Sequence, residues 1–182
     1  MIYGQKDITL RDGRRAVLRA PREEDAQELL EFLRTACGES DYLASYPEEL
    51  SLSPESERQY IKNTLDNPNG MMIVCTVDGH IAGNCEIIFM RSLKTRHRAA
   101  VMIGLMRRYW SLGIGSALFS ELIAAARERP GVRQLELEMI GGNDRAFALY
   151  RKMGFEVMAE HPDAFILRDG STRSAVFMRK VL

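Results

Sequence analysis

Gly113 and Gly115 flank a single residue, Ile114, where a strand-like stretch gives way to a helix-like one. Such a pair suits anion binding: bare backbone amides point outward, the helix dipole favours negative charge, and no side chain blocks approach. Arg107 and Arg108 lie beside the loop, where either could neutralise a diphosphate or a ribose phosphate. The same glycines would equally ease a plain strand-to-helix turn. A Walker-type phosphate loop is excluded, since no Gly-Lys-Ser or Gly-Lys-Thr follows the spacer. A dinucleotide site fits better, because Glu136 stands about 20 residues on, where a ribose-binding acid belongs. Leu118 replaces its third small residue, however, and Arg107 to Leu112 is too long for its tight turn.

A second constellation reads Asn143-Asp144-Arg145-Ala146-Phe147-Ala148-Leu149-Tyr150-Arg151-Lys152-Met153-Gly154-Phe155. Together with the glycine loop about 30 residues earlier, it resembles the GCN5-related N-acetyltransferase (GNAT) family. The acyl-CoA loop of that family reads Arg or Gln, two residues, Gly, any residue, then Gly or Ala. Its following helix reads Asn, two variable residues, Ala, a spacer, Tyr and a Gly-Phe exit. The element order matches from Ile8 to Leu182, while the specific motifs lie between Arg107 and Phe155. One departure is Trp110, which stands where the family most often has Arg or Gln. Anion binding must then rest more on backbone amides around Leu112 to Gly115 and on nearby basic residues.

The resemblance implies an α/β fold: a mixed, mostly antiparallel sheet with a central splayed pair of parallel strands, flanked by about four helices, in one acetyltransferase-like domain over residues 1–182. It implies acetyl-CoA as co-substrate, no metal, and transfer to a primary amine by direct attack in a ternary complex. Carried over by position, Leu105 and Met106 offer main-chain contacts to the pantetheine arm. Arg107, Arg108, Leu112, Gly113, Ile114, Gly115 and Ser116 form the diphosphate cradle, and Asn143, Ala146, Tyr150 and Lys152 the facing helix. Asn143 also suits a helix N-cap, and the two roles are compatible. Tyr150 lies seven residues after Asn143, close to two helical turns, so both side chains can reach one ligand. Attack on a thioester expels a thiolate, which a phenol of pKa about 10 can protonate, so Tyr150 is the general-acid candidate. It also suits a core position with its hydroxyl on a backbone carbonyl.

The attacking amine must first lose a proton. The family's strand carboxylate is absent, since Ala99, Ala100 and Val101 stand there; Glu86 is the substitute base, with Glu138 next. Glu86 could instead be solvated or paired with an arginine. Between Gly38 and Glu57 there are six acids and no Lys or Arg, a rim that would favour a cationic amine or simply a solvated loop with helix-start acids. A non-catalytic acyl-CoA-binding module is the alternative, and a nicotinamide-dependent reductase a third reading. Similar proteins often form homodimers.

The elements that must position these residues are legible in outline. A strand at about Arg14 to Arg19 precedes a helix opened by Pro21 and three acids and ending near Gly38. Ser53-Pro54-Glu55 opens a second helix, stopped by Asn67-Pro68-Asn69-Gly70. Met71 to Val77 and Ile81 to Met90 form a hairpin across Asp78-Gly79, with Cys85 and Ile87 on one face and Asn84 and Glu86 on the other. Strands follow at about Arg98 to Met106 and Val132 to Ile140, with a helix between them. A helix from Asp144 to Met153 and strands near Phe155 to Ala159 and Ser174 to Val181 complete the chain.

With 182 residues and 46% apolar side chains, one globular domain is expected. Twenty-five basic residues balance 25 acidic ones, so neither nucleic acid nor membrane is an expected partner. Three scattered cysteines and three scattered histidines suggest no disulfide framework or zinc site. No targeting segment or spanning stretch is read, so a cytoplasmic location is the expectation.

Overall fold

Met71 to Val77 is apolar or nearly so at every position, which demands cover on both faces. In the computed structural model, which describes Met1–Leu182, this stretch is β3 (Gly70–Val77), buried along its whole length inside an eight-stranded sheet. Its hairpin partner is β4 (His80–Phe89). Asp78 and Gly79 both take positive φ (53° and 85°), the backbone that a two-residue turn between twisted strands requires. β5 (Arg98–Leu105) runs antiparallel to β4, and β6 (Gln134–Ile140) runs parallel to β5. The sheet is completed by β1 (Lys6–Thr9), β2 (Arg15–Arg19), β7 (Glu156–Ile166) and β8 (Thr172–Val181), in the order β1-β2-β3-β4-β5-β6-β8-β7. It is therefore mixed and mostly antiparallel, with one parallel pair.

Four helices cover it: α1 (Ala26–Gly38), α2 (Pro54–Asp66), α3 (Ile114–Glu128) and α4 (Asp144–Lys152). α2 opens with Ser53, whose hydroxyl accepts the Ser56 N–H while the Ser56 hydroxyl accepts the Ser53 N–H, and with Pro54 in its first turn. A side chain at Gly104 of β5 would press on Phe32 of α1, whereas Leu105 and Ile103 reach Gly115 of α3. Neighbouring strand residues point to opposite faces, so α1 and α3 lie on opposite sides of the sheet.

Two strand expectations change. β1 is a further strand; its polar Lys-Asp-Ile-Thr stretch at the sheet edge carries little hydrophobic pattern. β7 runs to Ile166, well past Ala159, with an irregular register between His161 and Phe165. Pro162 is tolerated because β7 is an edge strand. No helix is long and apolar enough to cross a membrane. The three cysteines are free and buried, and no group of three or more metal-ligating side chains is gathered.

The parallel pair matters most. β5 and β6 are in register only at Arg98↔Gln134, Ala99↔Leu135 and Ala100↔Glu136, and then part. Each stays zipped to its outer neighbour, β5 to β4 up to Leu105 and β6 to β8 up to Ile140. The opening is thus a fixed notch between two held strands.

Candidate active site

Hydrogen bonds at the two ends of β5 set which of its backbone groups face that notch. The Met106 N–H donates to the Ala82 carbonyl and the Met90 N–H to the Arg98 carbonyl, so even-numbered residues turn toward β4. Val101 closes the ladder to β6, and Ile103 and Leu105 therefore turn their main-chain groups toward β6 beyond the point where β6 has moved away. A flexible chain with amide groups can pair with such an edge as an added strand. Leu105 is placed for this through its N–H, its carbonyl being taken by the Trp110 ring, but Met106 is not: its N–H is used by Ala82 and its carbonyl accepts the Tyr109 N–H at 3.0 Å. Ile103, absent from the sequence expectation, takes its place by alternation.

The notch is part of a cavity of about 980 Å³ that passes from the α3 side of the sheet to the α1 side. At the α3 end lies the glycine loop. Gly113 is the residue before α3 and has φ +98°, a conformation that excludes most side chains. The backbone N–H groups of residues 111–116 donate to no protein acceptor; the first helical bond is from Ala117 to Gly113 at 3.1 Å. Gly115 serves packing as well, since a Cβ there would come within 2.8 Å of Leu149. Ile114 is fully buried, so it can offer only its amide.

Four cations line the cavity: Arg11, Arg98, Arg145 and Lys152. Arg11, on the β1–β2 turn, donates to the Ser111 carbonyl at 3.3 Å, and Lys152 lies 3.4 Å from the Ser116 hydroxyl. Arg145 donates to the Ser111 hydroxyl and lies 4.9 Å from the centroid of the Trp110 ring. Trp110 is itself fixed by its ring N–H donating to the Leu105 carbonyl at 3.0 Å. The aromatic residue thus seats a guanidinium beside the loop, where it cannot supply one. Arg107 and Arg108 stand elsewhere. Their guanidinium groups lie 5.7 Å from Trp110 and 4.9 Å from Tyr109, and neither residue, nor Leu112, lines the cavity. The short 3-10 turn from Arg107 to Tyr109 carries both away from it. Arg11 is about 100 residues from the loop in sequence, and nothing in the chain announces the contact. Arg145 was visible inside the Asn143 motif, but its type alone did not mark it.

Asn143 caps α4, its Oδ1 accepting the Ala146 N–H at 3.1 Å, and it lines the cavity with Ala146. Tyr150 follows two turns later, 8% exposed, its ring edge-on to Phe119 at 5.3 Å. Its hydroxyl has no protein hydrogen-bond partner, yet no buried polar side-chain atom is left unpaired, so the oxygen opens into the cavity. The backbone-carbonyl partner of a core tyrosine is absent. Burial pushes this phenol up to about 12, which keeps it protonated throughout the neutral range.

Glu86 does not line the cavity. It is 8% exposed beneath α2, where its carboxylate accepts the Tyr60 hydroxyl at 2.7 Å. The expected polar face of β4 is in fact the face that α1 and α2 cover, which is why Glu86 is neither solvated nor paired with an arginine. Glu57, 3% exposed on the same face of α2 as Tyr60, is also without an ion pair. Burial holds both carboxyls above the usual range. The Glu86 charge adds to this at Glu57, and the Tyr60 hydrogen bond partly offsets it at Glu86. A carboxyl with a raised folded pKa supports the fold fully below its ordinary 4.5 and loses that support as pH rises through the folded value. Glu57→Gln carries no charge at any pH and is expected to raise Tm by about 3 °C near pH 8 and by roughly nothing near pH 4, read by thermal unfolding at both.

Glu138 is placed differently: it is exposed on β6, lines the cavity, and makes no hydrogen bond or ion pair. The acidic stretch between α1 and α2 forms no such lining. Glu39 accepts the Arg107 N–H, Glu48 pairs with Arg168, Glu49 accepts the Tyr46 N–H, Glu55 pairs with Arg58, and Glu57 is buried. From this region the cavity is lined instead by Ser40, Tyr42, Leu43 and Ala44.

Comparison with known proteins agrees with this geometry. The model of the acetyltransferase (GNAT) family matches residues 28–155. The L-amino acid N-acetyltransferase AaaT of Escherichia coli (strain K12) is 26% identical over 136 residues, covering 75% of this chain and 83% of that relative. A Bacillus subtilis (strain 168) protein named for alanine N-acetylation of ribosomal protein bS18 is 30% identical over 105 residues, 57% of this chain and 66% of its own. The crystal structure of a GNAT-family acetyltransferase from Streptococcus pneumoniae superposes with a TM-score of 0.86 at 26% identity, covering 92% of this chain and 99% of that one.

Proposed function

The chain belongs to the GNAT acetyltransferase family, and from that membership we infer that it transfers an acetyl group from acetyl-CoA directly to a primary amine held in the same cavity. The observation that carries this reading is the continuity of one cavity. It holds the free amides of the glycine loop at one end, the unpaired β5 backbone in the middle, and the open Tyr150 hydroxyl beside it. A diphosphate suits the first, an amide-bearing arm the second, and a departing sulfur the third.

In the reaction the amine nitrogen attacks the thioester carbonyl, a C–N bond forms, the C–S bond breaks, and the thiolate takes a proton from Tyr150. The nitrogen, cationic after the attack, sheds a proton, and one proton returns the Tyr150 phenolate to phenol, leaving amide and free thiol as products. The single domain proposed for residues 1–182 is supported by a sheet whose strands run from Lys6 to Val181. The relatives named above acetylate an amino acid or a ribosomal protein by name, and the non-catalytic alternative gains no support from them.

Calorimetric titration with acetyl-CoA followed by a thiol-release assay across amine classes tests this. Binding with thiol release is the expected result, and binding without release from any amine overturns it. Trp110→Ala is expected to raise the acetyl-CoA Kd about ten-fold, because it unseats Arg145 from beside the glycine loop.

A further inference from the structure

Given the transferase reading, the α1 end of the cavity must receive the amine, and its walls there differ in kind from those at the glycine loop. Past Ala100 and Glu136, the last paired residues, the next positions on the α1 face are Met102 on β5 and Glu138 on β6. Glu138 is thus about 7 Å further along the strand, inside the opening. Phe177 of β8 stands opposite Glu138 in register, and Phe165 of β7 lines the same wall. Three of the four lining cations, Arg11, Arg145 and Lys152, are gathered at the glycine loop. The fourth, Arg98, is gripped by Glu136 through two hydrogen bonds, one of 2.6 Å. The lining of the amine end therefore offers one unpaired carboxylate, with apolar side chains around it, and no unpaired cation; Arg173 and Arg179 of β8 lie outside that lining.

We propose that the acceptor is a primary amine on an apolar, otherwise uncharged carrier, with Glu138 holding the ammonium and Met102, Phe165 and Phe177 receiving the carrier. Charge and desolvation decide this. An ammonium beside Glu138 is compensated, whereas the second ammonium of a polyamine would be stripped of water against Met102 and the phenylalanines with no partner. The carboxylate of a free amino acid would face Glu138 at close range and find no unpaired cation in the cavity lining. An arylalkylamine, or the N-terminus of a peptide whose first side chain is apolar, meets both conditions, because its neighbour to nitrogen is neutral.

The test is steady-state thiol release with 2-phenylethylamine, phenylalaninamide, the tripeptide Phe-Gly-Gly, free phenylalanine and spermidine, on the full chain and on Glu138→Gln. At least one of the first three is expected to exceed both phenylalanine and spermidine in kcat/KM by about 30-fold or more. The order of 2-phenylethylamine against the tripeptide tells a small-molecule source from a polypeptide one, and either order supports the shared chemistry. Glu138→Gln is expected to raise KM for the favoured amine about ten-fold or more with an unchanged acetyl-CoA Kd. Preference for spermidine or phenylalanine, or an unmoved KM in Glu138→Gln, overturns the assignment while leaving the transferase intact. Acetyl-CoA binding with no thiol released from any of these amines or a wider panel overturns both.

Discussion

Tyr150→Phe lowers kcat by about 10²- to 10⁴-fold while acetyl-CoA binds within about two-fold of the parent affinity. The size follows from removing a positioned proton donor from a step that expels a thiolate. The selectivity follows from the packing. The ring keeps its edge-on contact with Phe119 and its tilted contact with Phe155, and the lost hydroxyl orphans no protein group because it bonds to none. Thermal stability should therefore stay level or rise slightly. Measuring kcat, calorimetric Kd and Tm on the same preparation separates a chemical role from a structural one: a fall in Tm with unchanged kcat would make Tyr150 a packing residue. The raised phenol adds a pH signature. Because burial holds it near 12, no loss of activity assignable to its ionisation should occur below about pH 10.

Gly113→Val raises the acetyl-CoA Kd by about 100-fold. A β-branched side chain does not tolerate φ +98°, so the loop must reshape, and the free amides of residues 111–116 no longer converge. The strain of about 1–3 kcal/mol falls on the residue that aims those donors, which is why it should appear in binding as well as in stability. Gly131→Ala is the control. Gly131 also has positive φ (83°), but it lies beyond the far end of α3 with open space around it. It should lower Tm without moving Kd. Equal Kd shifts in the two variants would mean that the loop acts through general stability.

Local rules carried the reading of the chain a long way. The Ser53-Pro54 start of α2, the Asp78-Gly79 turn and the Asn143 cap are each decided by neighbours a few residues apart, and each stands where its chemistry puts it. Contacts between distant segments were not legible. Glu86 alternates with apolar neighbours as a wet residue would, and only the packing of α2 over that face reveals it as buried. Met106 lost its assigned role to a hydrogen bond from the far side of β5, which a one-residue change of strand phase decides. Arg11 reaches Ser111 from the opposite end of the sheet order, through a loop whose own sequence is an ordinary Asp-Gly turn. The splay of β5 from β6 was expected only from resemblance; both strands carry the same apolar pattern whether zipped or parted.

Trp110 has one further consequence. It is the sole tryptophan of the chain, pinned at the cavity mouth by the Leu105 carbonyl and flanked by two guanidinium groups. Tryptophan-selective excitation therefore addresses a single fluorophore beside the ligand path, and any molecule threading past it changes the polarity around the ring. Loading and emptying can be followed by emission in a stopped-flow instrument, with no label attached and no chemistry required, so the rate of entry becomes measurable before a turnover assay exists.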